Sequence, residues 1–322
     1  MKDQNTQYPA SGKDYTGYSG NVGDASTHSI AAGDLVAVFL PGHGMICSSL
    51  RHRGAELLRR VDDLEALAVK GSATGIPLLH PWANRLADYR YRAADREVAL
   101  DPSSPLLHID EYGLPIHGVP WSRLAWEVTE ASKDGLVARL EWARDELLAI
   151  FPFRHRLEMA ATLRPEDLTV KTTLIAGNDL PVPVSFGFHP YFGLPGLPRS
   201  RWRLGLPAMR RLALDQRQIP TGEEEPFAGM DTELGALDFD DGFALLEGTE
   251  SFSLEGAGRR ITVEFLEGYR YAQVFAPKGK EYVALEPMTA PTNALTTGNG
   301  LQLVKPGGRF RAAFRVRVHA IP

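Results

Sequence analysis

Four side chains able to move a proton or hold a hydroxyl group stand where the chain interrupts its own regular pattern. His189 lies in Ser185-Phe186-Gly187-Phe188-His189-Pro190-Tyr191-Phe192, fed by Leu180-Pro181-Val182-Pro183-Val184 and stopped by Gly193-Leu194-Pro195-Gly196. Proline and glycine are too dense there for a helix. The residue before a proline is pushed toward extended geometry, so the expected shape is a short strand that breaks into a tight bend at His189-Pro190. Imidazole titrates near neutrality, which suits it to give or take a proton; the alternative is a histidine satisfied by buried backbone. Glu286 closes the apolar run Tyr282-Val283-Ala284-Leu285 and precedes Pro287, a rigid and partly dry position. Burial raises a carboxylate's pKa and a nearby cation lowers it. Such a glutamate can serve as a general base near neutral pH, or it can be one half of an ion pair with an arginine.

His117 lies in the Gly/Pro-bounded loop Gly113-Leu114-Pro115-Ile116-His117-Gly118-Val119-Pro120-Trp121. Loops on a rigid scaffold are where catalytic groups concentrate, and Gly118 permits close approach of a ligand; a turn histidine bonded to backbone is the alternative. Arg85 ends the run Pro81-Trp82-Ala83-Asn84. Its five donors in a fixed fork suit several hydroxyls at once, and equally suit the capping of loop carbonyls. Trp82 reads as core.

The elements that must position these groups read as strands. Asp34–Leu40 and Met45–Leu50 flank a turn, and Gly54–Arg60 is a strand or one helical turn. Leu136–Trp142 alternates, and Arg156–Leu163 and Leu168–Ile175 form a hairpin about Arg164-Pro165-Glu166-Asp167. Two irregular strands surround Pro207. The stretch from Gln216 to Phe239 reads as loop, with Glu223-Glu224-Glu225 as a solvated acidic face. Arg260–Phe265, Tyr271–Phe275 and Tyr282–Leu285 follow. In the last strand Phe310, Ala312, Phe314, Val316 and Val318 face inward, while Arg309, Arg311, Arg315, Arg317 and His319 face water. Many strands with few helices mean an all-β sandwich or barrel. Residues 1–33 are polar and without a sustained period, which predicts a flexible arm; the alternative is a strap along the domain or a subunit contact docked through Tyr8, Tyr15 and Tyr18. Residues 34–322 then form one domain.

Composition bounds the function. Hydrophobic residues make up 43% and charged residues 23% of 322, and 35 basic against 40 acidic residues leave a net charge of −5. That argues against a nucleic-acid surface and a polybasic membrane anchor. No apolar run approaches the roughly 20 residues of a membrane span. The single cysteine, Cys47, allows no intrachain disulfide and fits a reducing compartment, so a cytoplasmic location is expected.

Gly187-Phe188-His189-Pro190-Tyr191-Phe192 resembles the histidine motif of the aldose 1-epimerases, the galactose mutarotase family. Pro77-Leu78-Leu79-His80-Pro81-Trp82-Ala83-Asn84-Arg85 resembles the family's Asn-Arg motif, Ile116-His117-Gly118 its first His-Gly motif, and Leu285-Glu286-Pro287 its C-terminal glutamate motif. Each tag is short; four in the family's order are specific. The resemblance implies a large twisted antiparallel β-sandwich whose concave face holds these residues. It implies interconversion of the α and β anomers of a free aldohexose such as galactose or glucose, with Glu286 as base, His189 as acid and His117 as a hydrogen-bond partner of the ring oxygen. Arg85, Asn84 and Trp121 would contact the sugar. The family carries a hydroxyl-binding aspartate three residues before a phenylalanine; Asp240 has that spacing in Leu237-Asp238-Phe239-Asp240-Asp241-Gly242-Phe243, with Asp241 as the register alternative. An Asx-type turn or a calcium site are the other readings of this acidic stretch, and no EF-hand spacing is present.

No cofactor and no metal is expected. The partner is a monosaccharide, and monomer or homodimer stays open. Two alternatives are a non-catalytic sugar-binding or sensor protein on the same scaffold and a hexose-phosphate 1-epimerase, for which Arg51, Arg53 and Arg90 are candidates by charge.

Overall fold

The computed structural model describes residues 27–60, 74–249 and 251–321. Its frame is two large antiparallel sheets. One has nine strands in the order Glu127–Ala131, Gly135–Trp142, His155–Arg164, Asp167–Ala176, Arg309–Ala320, Arg259–Glu267, Ser251–Gly256, Arg203–Leu206 and Met230–Glu233. The other runs Pro220–Phe227, Met209–Leu214, Phe239–Ala244, Tyr271–Ala276, Val283–Met288, Gly187–Phe188 and Leu78–Leu79, with Tyr191–Phe192 paired to the outer part of Val283–Met288. A smaller four-stranded sheet, His28–Ala32, Leu35–Leu40, Ile46–His52 and Ala55–Glu56, contacts the strands Gly135–Trp142 and His155–Arg164.

Period-two patterning makes these strands. His155–Arg164 alternates buried and exposed along nearly its whole length, so one face meets the core and the other meets water. Arg309–Ala320 does the same: Ala312, Phe314, Val316 and Val318 are fully buried, while Arg315 and Arg317 turn outward toward Glu264. The two large sheets share one apolar core, in which Phe188 meets Phe314 at 5.0 Å between ring centroids and Phe186 meets Phe310 at 6.1 Å. The fold is thus the expected all-β sandwich. Among the described residues α-helix is confined to Asp145–Ile150 and Ala294–Thr297, and no helix is long and apolar enough to cross a membrane.

Three expectations change. His28–Ala32 is a strand, inside the segment read as an arm, because Gly33 turns the chain with φ +57° and lets it pair with Leu35–Leu40. The ordered domain therefore starts earlier than residue 34; Tyr8, Tyr15 and Tyr18 lie outside the described residues. Gly54–Arg60 contributes only the two-residue strand Ala55–Glu56. Within Gln216–Phe239, read as loop, Pro220–Phe227 and Met230–Glu233 are strands. Each lies at the edge of its sheet with one neighbour, so neither needs a buried face.

Val283–Met288 is buried at every position, unlike the one-sided strands. Val283 and Leu285 enter the sandwich core. Ala284, Glu286 and Met288 therefore point to the opposite face of the eight-stranded sheet, where other chain segments cover them. That second buried face carries the site.

Candidate active site

Three adjacent strands set its floor. Gln273 is directly opposite Glu286 in the pairing of Tyr271–Ala276 with Val283–Met288, and opposite Gly242 on the other side. Alternation puts Asp240, Gln273 and Glu286 on one face, since Ala272, Val274, Phe239 and Phe243 occupy the core face. The Gln273 amide donates to Asp240 Oδ1 at 2.7 Å. Asp241 turns the other way and faces Arg211 at 3.4 Å. Strand alternation thus separates the two candidates: Asp240 joins the face of Glu286.

His189 is delivered from the end of Gly187–Phe188. Gly187 pairs with Met288 on one side and Leu79 on the other. A Cβ on Gly187 would meet Pro287 O at 2.9 Å, so only glycine lets the strand lie this close. The His189 backbone N–H donates to Pro77 O at 3.1 Å. Its Nε2 then lies 3.1 Å from Glu286 Oε1 and 2.9 Å from the Tyr191 hydroxyl. Both partners of the His–Glu pair are buried, at 5% and 2% exposure.

His117 arrives by other means. His117 and Gly118 both have left-handed backbone, φ +62° and +65°. A side chain on Gly118 would collide with the His80 carbonyl oxygen. The His117 N–H donates to Asn84 O at 2.9 Å, and the Asn84 N–H donates to His117 Nδ1 at 3.2 Å. A backbone N–H can only donate, so Nδ1 is the unprotonated nitrogen and the ring proton is on Nε2. The ring stands edge-on to His189 with centroids 5.6 Å apart.

Asn84, also left-handed at φ +57°, works as a clip: its side-chain oxygen accepts from the Arg85 backbone N–H at 2.8 Å. Arg85 is buried and donates through Nε to Asp110 Oδ2 at 2.5 Å. Its far nitrogen is 3.7 Å from Glu111, and its guanidinium carbon lies over the Tyr112 ring, 5.5 Å from the centroid. Asp110 also accepts from the backbone N–H groups of Tyr112 and Leu114. It thereby ties Arg85 to the hairpin that carries His117, in which His108 pairs with Ile116.

Dryness dominates the electrostatics. Burial, with the Asp240 charge adding to it, pushes Glu286 well above the usual carboxylate range, and Arg85 opposes both. Asp240 is raised by burial against Arg85 and the Gln273 hydrogen bond. Burial holds His189 well below its ordinary value, reinforced by His117, and lowers His117 to about 3 through burial, His108 and Arg85. His117 is therefore a neutral Nε2–H donor at any working pH. Glu286 and His189 favour a state holding one proton between them, in which the pair carries no net charge.

The structure brings together Glu286, His189, His117, Arg85, Asn84 and Asp240. It does not bring Trp121. That residue opens the short 3₁₀ turn Trp121–Arg123, and its ring is committed to a small cluster with Leu40 and Ile46, because Pro120 has already turned the chain out of the His117 loop. Trp82 is core, packed near Tyr91. Gln273, Asp110 and Tyr191 were not singled out. A polar residue in the otherwise apolar Tyr271–Phe275 and the tyrosine inside the histidine motif were the available signals; Asp110 had none.

This floor of strand-borne acids beside two histidines and an arginine places the chain among known proteins. The family description of the aldose 1-epimerases matches residues 26–317, and the chain belongs to that family. The protein YihR of Escherichia coli K12, itself uncharacterised, is 23% identical over 320 residues, covering 90% of this chain and 92% of its own. A solved galactose mutarotase-like protein from Clostridium acetobutylicum superposes with TM-score 0.79 at 20% identity, over 92% of this chain and 96% of that one. A GalM/aldose epimerase homologue from Caenorhabditis elegans gives 0.76 at 16% identity, over 92% and 100%. At such identities these structures speak to the fold alone.

Proposed function

We propose that the protein interconverts the α and β anomers of a free aldohexose such as galactose or glucose. The observation that carries this is the 3.1 Å approach of His189 Nε2 to Glu286 Oε1 on a dry sheet face. Ring opening must take a proton from the C1 hydroxyl and deliver one to the ring oxygen. In the productive form Glu286 is the carboxylate and His189 the imidazolium. Glu286 accepts the C1 proton, His189 gives its Nε2 proton to the ring oxygen, and the C1–O5 bond breaks. The pair's charge state has been relayed through the sugar, and its total of one proton is restored. After rotation about C1–C2, Glu286 returns a proton to O1 and His189 takes back the one on O5 as the ring closes on the other face. Each proton transfer contributes roughly 10² to 10⁴ in rate. The His117 Nε2–H is a neutral donor for the ring oxygen. Arg85 and Asp240 orient hydroxyls.

The same geometry favours an uncharged sugar over a phosphorylated one. The Arg85 charge already faces Asp110 at 2.5 Å and Glu111 at 3.7 Å. Of the arginines considered for a phosphate, Arg53 is paired with Asp34 at 2.8 Å, Arg51 donates to Ser49, and Arg90 is exposed at the start of the strand Arg90–Ala93. The test is anomer exchange of α-D-glucose and α-D-galactose followed by polarimetry or NMR exchange spectroscopy. Catalysis above buffer is expected for a free hexose, with Glu286→Gln slower by at least about a hundredfold while still binding sugar. A wild-type protein that binds hexose without exchanging it would make this a sugar-binding protein, and exchange only of phosphorylated sugars would move the substrate class.

A further inference from the structure

Arg85 comes from a loop and Glu286 from a strand, far apart in the chain. A sugar that touches both needs them at a set separation. The segment leaving the Glu286 strand passes the neighbours of both histidine and arginine in turn. Thr289, fully buried, donates to Phe186 O through its backbone N–H at 3.0 Å and through its hydroxyl at 2.8 Å. That fastens the segment to the stretch leading to His189. Asn293, seven residues beyond Glu286, fastens it to the loop of Arg85.

Asn293 holds that loop with main chain and side chain together. Its backbone N–H donates to Arg85 O at 3.0 Å, and its Oδ1 accepts from the Ala87 N–H at 3.0 Å. The residue is buried and has left-handed backbone, φ +66°, which asparagine adopts more readily than most side chains. Its own carbonyl accepts from the Thr296 and Thr297 N–H groups at 3.0 and 3.1 Å, so it cannot swing freely. A second grip on the same loop comes from the hairpin of His117: the Leu86 N–H donates to Pro115 O at 2.9 Å, and Arg85 bridges to Ile116. The hairpin grip sets Arg85 against His117. The Asn293 grip sets it against the strand of Glu286.

We propose, resting on the anomer-exchange reading above, that Asn293 is a positioning residue that registers Arg85 to the Glu286 strand. It governs how firmly sugar hydroxyls are held and leaves the proton transfers to the His189–Glu286 pair. The experiment measures kcat and KM for hexose anomer exchange in wild type, Asn293→Gly, Thr289→Val and Glu286→Gln, with melting temperature as a fold check. Glycine keeps the left-handed backbone and the N–H to Arg85 O, and removes the side-chain acceptor. KM is expected to rise about fivefold with kcat within about twofold of wild type, the scale of one weakened hydrogen bond to the sugar. Thr289→Val removes a buried hydroxyl from the same segment on the His189 side, and so reports general loosening. Its KM is expected to stay within about twofold of wild type, because the Thr289 N–H still occupies Phe186 O.

An unchanged KM in folded Asn293→Gly, with Glu286→Gln inactive, would overturn the inference and leave the functional reading standing. So would a fall in kcat at constant KM, or an equal rise of KM in Thr289→Val. A wild-type protein that exchanges no aldose would overturn both. Should Asn293→Gly not fold, amide exchange of the wild type decides. Saturating D-galactose that protects the Ala87 and Asn293 amides more than the Leu163 amide, in the other large sheet, supports the inference; equal protection refutes it.

Discussion

His189 and His117 lie ring to ring in the same site, yet they are put there by opposite devices. His189 is carried by apolar strands: Phe188 is core, Gly187 is squeezed between Leu79 and Met288, and the bend follows at Pro190. His117 is carried by polar clips on left-handed backbone, through Asn84, and its hairpin is tied to Arg85 by Asp110. The strand device gives dryness and a carboxylate partner, which proton transfer needs. The clip device fixes a tautomer and leaves the ring neutral, which suits a hydrogen-bond donor. The difference teaches that the proposed proton-moving pair is carried by strands, Glu286 within one and His189 at the end of another, while of the groups proposed to hold hydroxyls Arg85 and His117 lie outside the named strands and Asp240 lies on a strand beside Glu286.

The largest effect should come from breaking the strand-borne member. His189→Asn is expected to remove most exchange, by about a hundredfold or more, together with the alkaline limb of the pH–rate profile. His117→Asn should slow turnover and keep that limb, because a group whose proton leaves near pH 3 cannot set it. A His117 variant that loses the limb while the His189 variant keeps it would reverse the two roles.

An intermediate effect is expected from the clip side. Asp110→Asn keeps an acceptor for the Tyr112 and Leu114 backbone groups and removes the carboxylate charge that faces Arg85. KM for the hexose should rise about tenfold with kcat changing less. An equal fall in kcat at constant KM would show that Asp110 belongs with the proton-moving set and would blur the division.

The smallest effect on catalysis, and a clear one on stability, concerns the segment that serves both devices. His80 Nε2 and His155 Nε2 are 2.9 Å apart in the core, and His155 Nδ1 donates to Phe153 O at 2.6 Å. His155 therefore accepts at Nε2, and His80 donates there; both rings are neutral. Burial lowers His155 to about 4 and His80 well below its ordinary value. The unfolded chain binds these protons near pH 6.5 and the folded chain does not, so stability falls as pH drops below about 6.5, and the His155 share of that fall is complete near 4. Melting temperature should decline through that window and decline less in His155→Phe. A flat profile in wild type would contradict the buried neutral pair.

Much of this was legible because alternation and punctuation are local. The last strand and Leu136–Trp142 announced their faces by alternation, the turn Arg164-Pro165-Glu166-Asp167 announced its hairpin, and the glycines and prolines around His189 and His117 marked where strands give way. What was not legible depends on partners far along the chain. Pro220–Phe227 looks like a charged loop because an edge strand has one neighbour and no face to bury. Asp110 is one acid in a turn until the fold sets it against Arg85. Trp121 follows His117 closely in sequence, yet one proline sends it into a different cluster. Which of Asp240 and Asp241 shares the face of Glu286 needed the strand's parity, and that is given by its pairing with Tyr271–Ala276.

The segment from Pro77 to Arg85 has a consequence in time. Its partners are Gly118, Ser185, Gly187, Phe188 and, through the Arg85 carbonyl, Asn293. Almost none is near in sequence, and Glu286 itself comes from a strand made late in synthesis. Contacts of such long range are slow to close. The site therefore has no local precursor: Glu286, His189, His117 and Arg85 come together only when strands far apart in the sequence have paired.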